Sequence, residues 1–171
     1  SMEEIARRAG VSKQTVYNRF GGKEELLRAI VERKRGQLTS LLASPPADEP
    51  LEDTLARYIG TILRLHLQKT HCNMMRLAIA TASELPDATR IIFETGPKEG
   101  RRQLAHFLAR ETIRGRLRVE NPEEAAEILA GMAAGQVQMR SLLGVSQDLQ
   151  DADVDPRARE VARRFIRAYA P

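Results

Sequence analysis

Two short amphipathic segments joined by a tight turn open this chain, and they restrict its fold more than any other feature. Ser1-Met2-Glu3-Glu4 has the form of a capping box, in which the Ser and the Glu three residues on satisfy each other's free amides. The spacing predicts a helix to about Ala9, ended by Gly10, which can take the left-handed conformation. Ser12 then caps a second helix over about Lys13 to Arg19. Gly21-Gly22 interrupts the chain, and Lys23 opens a longer helix to about Leu42, with Glu24 and Glu25 in its first turn, where the dipole favours acid. Ile5 and Ala9, four apart, are expected to face inward from the first helix, and Val16 and Phe20 from the second. Val11 is expected to plug the turn, and small Ala9 and Gly10 to let the helices meet at a steep angle. Together these expectations describe a helix-turn-helix.

With Val16 and Phe20 turned inward, Lys13, Gln14, Tyr17 and Asn18 project outward. A cation, an amide and a phenol near a helix N-terminus can reach base edges and phosphates in the major groove of DNA. Ser12 and Thr15 add hydroxyls, and Lys23 stands at the start of the third helix, where free amides also attract phosphate. Charge points the same way. Residues 1–40 hold nine Lys and Arg against five Asp and Glu, so the whole net charge of +4 resides there. A basic module beside a neutral remainder suits a polyanion partner, although a solvated face of mixed charge gives the same count.

Beyond this segment the chain reads as helices with short breaks, so the fold class is all-α: a helix-turn-helix module followed by a helical domain. Ser44 to Pro50 carries three prolines in seven residues and forms the clearest linker, dividing the chain into 1–43 and 44–171. Helices are expected over Leu51 to about Gln68 and over about Cys72 to Ser83. Asp87 to Gly115 should be helical with a break or kink at Gly96-Pro97. Asn121 caps and Pro122 opens a helix to about Leu143. An acidic loop then leads to a last helix over about Pro156 to Tyr169.

Several function classes find little support. One cysteine, Cys72, rules out an intrachain disulfide and fits a reducing compartment. No apolar run approaches the length of a membrane span, and no signal-peptide pattern opens the chain, so a cytoplasmic protein without a membrane partner is expected. His66, His71 and Cys72 hint at metal, but the spacing of the two histidines would splay them around a helix. Asp151-Ala152-Asp153-Val154-Asp155 imitates a calcium loop, yet Pro156 stands where the turn needs Gly and Ala162 where it needs Glu. Gly96-Pro97-Lys98-Glu99-Gly100 lacks the ending of a phosphate loop. No catalytic constellation emerges, so neither an enzyme nor a cofactor is expected.

The run from Ile5 to Phe20, with its Ile-Ala, Ala-Gly-Val-Ser, Thr-Val-Tyr and Phe, followed by Lys23-Glu24, resembles the DNA-binding motif of the TetR family of transcriptional regulators. The resemblance implies base contacts for Lys13 and Gln14, and phosphate contacts for Ser1, Thr15, Tyr17 and Lys23. It also implies a further helix ahead of Ser1, relative to which the DNA-binding domain is expected to be N-terminally incomplete. Phe93-Glu94-Thr95-Gly96-Pro97, Arg114-Gly115-Arg116-Leu117, Asn121 to Ala126 and Leu142-Leu143-Gly144 resemble a common C-terminal subgroup of the same family.

By that resemblance the last two helices pair with their copies in a homodimer. Gly131, Ala134 and Gly135 offer a small-residue face, and Val161, Phe165 and Ile166 an apolar stripe; completion of the protomer core is the other use for both. An effector pocket is expected on the middle helices, lined by Tyr58, Ile62, His66, Met75, Ile79, Phe93, Met132, Gln136 and Met139. The implied function is a ligand-responsive regulator, a repressor that leaves a palindromic double-stranded operator when an unknown small molecule binds. The alternative is a helical small-molecule-binding or scaffolding protein with a non-functional DNA module.

Overall fold

The computed structural model describes residues 1–46, 48–145 and 150–171, and among the described residues all regular structure is helical. The helices are α1 (Met2–Ala9), α2 (Lys13–Phe20), α3 (Lys23–Ala43), α4 (Leu51–Leu67), α5 (Lys69–Ala80), α6 (Pro86–Phe93), α7 (Glu99–Ile113), α8 (Pro122–Leu143) and α9 (Asp151–Ala168). A π-helical turn, Glu94–Lys98, joins α6 to α7. Among the described residues no helix is long and apolar enough to cross a membrane.

The first two helices end and begin as their sequence dictates. Ser1 Oγ accepts from the Glu4 amide, Gly10 is left-handed at φ 68, and Ser12 Oγ accepts from the Thr15 amide. The inward face of α1 is not the one expected. Met2 and Ala6 are buried against Val16, with Phe20 and Leu26 packed around them, while Ile5, Ala9 and Val11 are exposed. The two stripes lie three residues apart, about 60° around the helix. An eight-residue helix with apolar residues on both stripes does not choose between them by periodicity; docking of α2 does.

α4 is the centre of the molecule. It is buried around most of its surface and packs against α3, α8 and α9. Leu55, Ile59 and Leu63 are fully enclosed with Phe107 and Leu108 of α7, Leu129 of α8 and Phe165 of α9. Beside this core, Val31 of α3, Ala78 of α5 and Ile92 of α6 form a smaller cluster that ties the long third helix to the domain behind it. At the end of α7 the carboxylate of Glu111, fully buried, is clamped by Arg114 at 3.1 Å and by Arg116.

Three boundaries differ from expectation. α5 starts at Lys69 rather than Cys72, because the chain turns sharply at Gln68 and the Cys72 thiol donates back to the His66 carbonyl. Gly96-Pro97 does not break the chain; the helix widens into a π-turn that accommodates the missing proline N–H. α9 starts at Asp151, with Pro156 inside it. Asp153 caps the Gln150 amide, while Asp151 and Asp155, one turn apart, both meet Arg64 of α4 at 3.2 and 2.9 Å. The local cap and the pairing across the fold both hold in helix a segment whose own sequence reads as loop.

Candidate nucleic-acid interface and central cavity

α2 presents its polar side to solvent while Val16 is buried and Phe20 half-buried, as the helix-turn-helix reading requires. Tyr17 is 39% exposed, and Ser1, Ser12, Lys13, Gln14, Thr15, Asn18 and Lys23 are exposed. Gln14 Nε2 donates to Asn18 Oδ1 at 2.6 Å, and Ser12 Oγ shares a hydrogen bond with Thr15 Oγ1 at 2.8 Å. These pairs fix the amide and hydroxyl groups along one face. α3 opens at Gly22 with no side-chain cap, so its first amides are left for another acceptor beside Lys23.

Sequence reasoning missed one pair. Lys13 meets Glu3 of α1 and stacks over the Tyr17 ring at 5.6 Å. Lys13 hydrogen bonding holds the Glu3 carboxyl down at about 2, so it stays ionised through the physiological range. Arg7 and Arg8 both engage Glu4. The excess basic charge of the first 40 residues is therefore not all displayed at this end. Lys34 and Arg35 turn instead toward the interior.

They reach a cavity of about 430 Å³ walled by α3 to α8 and the π-turn. Tyr58, Ile62, His66 and Met75, four of the residues expected there, line it. The other five do not. Ile79, Phe93 and Met139 are 60%, 50% and 56% exposed, Gln136 is exposed, and Met132 packs against the main core. His66 and His71 are not splayed around one helix, because the break at Gln68 separates them; their rings meet edge to face at 5.2 Å. Among the described residues no third metal-binding side chain joins them.

The cavity wall also carries charge. Lys34 and Arg35 of α3 and Arg101 of α7 line it, with Glu127 the one carboxylate among the described lining residues. Arg35 Nη1 donates to the Thr95 carbonyl in the π-turn at 2.8 Å, while its Nε is buried without a partner. Both ring nitrogens of His71 are likewise buried and unpartnered. Burial, then the neighbouring histidine, lowers His66 to about 4; burial, then the Lys34 charge, lowers His71. Burial pushes the Tyr58 hydroxyl above the usual phenol range, with Arg101 opposing. A signal for the two α3 cations was present in the sequence. Val31, Lys34, Arg35 and Leu38 follow the 0, 3, 4, 7 spacing of an inward stripe, with two charges in its middle.

The expected pairing residues fall into two groups. Phe165 is fully enclosed and Val161 nearly so, within the protomer core, and Ile166 packs against that core. This stripe is the surface α9 buries on α4. Gly131, Ala134 and Gly135 line the cavity, and Gly131 and Gly135 are exposed on the α8 surface of the single chain. α8 also departs from helical geometry at Gly135 and kinks there. Its exposed apolar residues are Ile128, Met139 and Leu143.

Residues 1–30 match the family described as bacterial regulatory proteins of the tetR family, and residues 53–171 match the C-terminal domain of AefR-like transcriptional repressors. The HTH-type transcriptional repressor Rv3405c of Mycobacterium tuberculosis is 28% identical over 109 residues, covering 64% of this chain and 57% of that protein's length. A solved structure from Mesorhizobium loti, described as a TetR-family transcriptional regulator, superposes over 100% of this chain and 87% of its own, with TM-score 0.82 and 27% identity. The flavonoid-responsive regulator FrrA gives the same identity and coverage with TM-score 0.76.

Proposed function

The chain belongs to the TetR family of bacterial regulatory proteins, and on that premise we propose that it is a DNA-binding transcriptional regulator, a cytoplasmic homodimeric repressor released from a palindromic operator by a small molecule. Residues 1–43 are its DNA-reading module and 44–171 its sensing and pairing domain. Lys13, Gln14 and Asn18 contact base edges. Ser1, Ser12, Thr15, Tyr17 and Lys23 contact phosphates and set the register. Lys13 exchanges Glu3 for DNA on binding. The effector occupies the central cavity against Tyr58, Ile62, His66 and Met75.

One observation carries this reading: α3 is a single uninterrupted helix that serves both ends. Leu26 packs beneath α2, and Val31, Lys34, Arg35 and Leu38 of the same helix wall the cavity. A molecule in the cavity therefore touches the rod on which the DNA-reading helix is mounted. Gly96 fits closely against Val31 there: a Cβ would stand 3.1 Å from Val31 Cγ1, so that side chain would have to shift by a few tenths of an ångström to admit one. Release requires that the effector prefer an α3 setting in which two recognition helices no longer match successive major grooves. The repressor description of the mycobacterial relative supports repression, and the flavonoid response named for FrrA supports a small organic effector.

The test is binding to the DNA upstream of the protein's own gene, measured across salt concentrations. Affinity should fall steeply with salt as phosphate contacts release counterions. Tyr17→Ala and Lys23→Ala should weaken binding to all sequences, Lys23→Ala lowering the salt slope by about 1, whereas Gln14→Ala should change the preferred sequence. If all three substitutions leave affinity and preference unchanged, α2 is not the reading helix.

A further inference from the structure

The cavity that the proposed function treats as the effector site has an unbalanced wall. Lys34 and Arg101 have no hydrogen bond or ion pair among the described residues; Arg101 only overlies the Phe93 ring at 5.5 Å. Arg35 spends one nitrogen on a backbone carbonyl and leaves Nε buried and unpaired. Glu99 of α7 acts on Arg35 but is itself bonded to Arg102 and Gln103, and Glu127, on the α8 side, is exposed; even if Glu127 paired with Lys34 or Arg101, the other would remain without a partner. Buried or half-buried cations without partners are unfavourable, and an anion that fills the space restores the balance. Most of the remaining surface is apolar, supplied by side chains such as Leu38, Ile62, Met75 and Ile92. The space is real at the α7 wall: Gly100 is buried, yet a Cβ built on it meets nothing within 4 Å.

We infer that the cavity takes an amphipathic organic anion, its acid group seated among Lys34, Arg35 and Arg101 and its apolar body against Ile62, Met75 and Ile92. His71, with both ring nitrogens free, offers a donor and an acceptor to a hydroxyl or carbonyl on that body. The acid group would compete with the Thr95 carbonyl for Arg35, and so would act directly on α3. This assignment rests on the cavity being the effector site.

Two probes with one aryl frame test it: 8-anilinonaphthalene-1-sulfonate and its uncharged counterpart N-phenyl-1-naphthylamine, titrated by fluorescence into the full chain. Lys34→Met and Arg101→Met should each weaken the sulfonate about ten-fold or more, the size of a lost charged hydrogen bond, and the neutral probe less than two-fold. Gly100→Leu, which fills the open space at α7, should abolish binding of both. The inference is overturned by an absence of sulfonate binding, by equal losses for the two probes in the Met variants, or by binding that survives Gly100→Leu. Operator binding by the same proteins without probe separates the two claims. Intact DNA binding with no charge preference removes the anion alone. Loss of specific DNA binding in the unsubstituted chain removes the regulator reading while the probe result stands.

Discussion

His66 shows how one side chain records its surroundings. Burial beside His71 lowers it from an ordinary 6.5 to about 4. Above pH 6.5 the imidazole is neutral in both folded and unfolded chains and contributes nothing to the pH dependence. Below 6.5 the unfolded chain takes up a proton that the folded chain refuses, so stability falls until the folded group itself titrates near pH 4. The full difference corresponds to about 3 kcal/mol. Urea unfolding of the wild type and of His66→Gln at pH 7 and pH 4.5 should show most of that loss in the wild type and a flatter profile in the variant. Parallel profiles would place His66 in contact with water. The spacing of His66 and His71 in the sequence splays the two around a helix. Five positions imply that only if one helix is continuous, and the corner at Gln68 removes the premise.

At the scale of the element, local chemistry and tertiary contact contribute unequally. α1, α2 and α8 keep the caps written into them: Ser1, Ser12 and Asn121 each accept an amide from the first turn. α2 depends on its cap more than most helices, because it is eight residues long and the core beneath it holds three buried residues. Ser12→Ala should cost about 1 kcal/mol of local stability. We expect that loss to appear as weaker operator binding with little change in the unfolding of the larger helical domain, and Ser12→Asn to restore affinity by restoring the cap. An unchanged affinity for Ser12→Ala would mean that DNA itself orders α2 and that Ser12 contacts no phosphate. α9 combines both: Gln150 and Asp153 cap its start locally, while Asp151 and Asp155 also meet Arg64 of α4, a partner nearly ninety residues away that no sequence-local rule announces.

For the whole molecule, the question is which surface remains for a second copy. Phe165 and Val161, first expected at the pairing face, are occupied inside the protomer. Ile128, Met139 and Leu143 on α8 are 43%, 56% and 69% exposed, and they follow one another at helical spacing on either side of the kink. If the homodimer forms through this face, Ile128→Glu and Met139→Glu should each sediment as folded monomers while the wild type sediments as a dimer. A dimer that survives both changes pairs elsewhere. Monomers should also bind operator DNA weakly, since a single reading helix forfeits the second half-site.

The chain's own residues determined what depends on near neighbours. Helix capping, glycine at left-handed positions and apolar periodicity lie within a few residues of one another, so the all-α class, the helix-turn-helix and the outward set Lys13, Gln14, Tyr17 and Asn18 could be read directly. Tertiary structure alone decided the rest. It chose Met2 and Ala6 over Ile5 and Ala9, turned Lys34 and Arg35 to the cavity, brought His66 to His71, and spent the α9 stripe on α4. Each of these outcomes follows from how a whole helix is rotated against another. That rotation is set by the summed burial of many side chains, a quantity no short stretch of sequence contains.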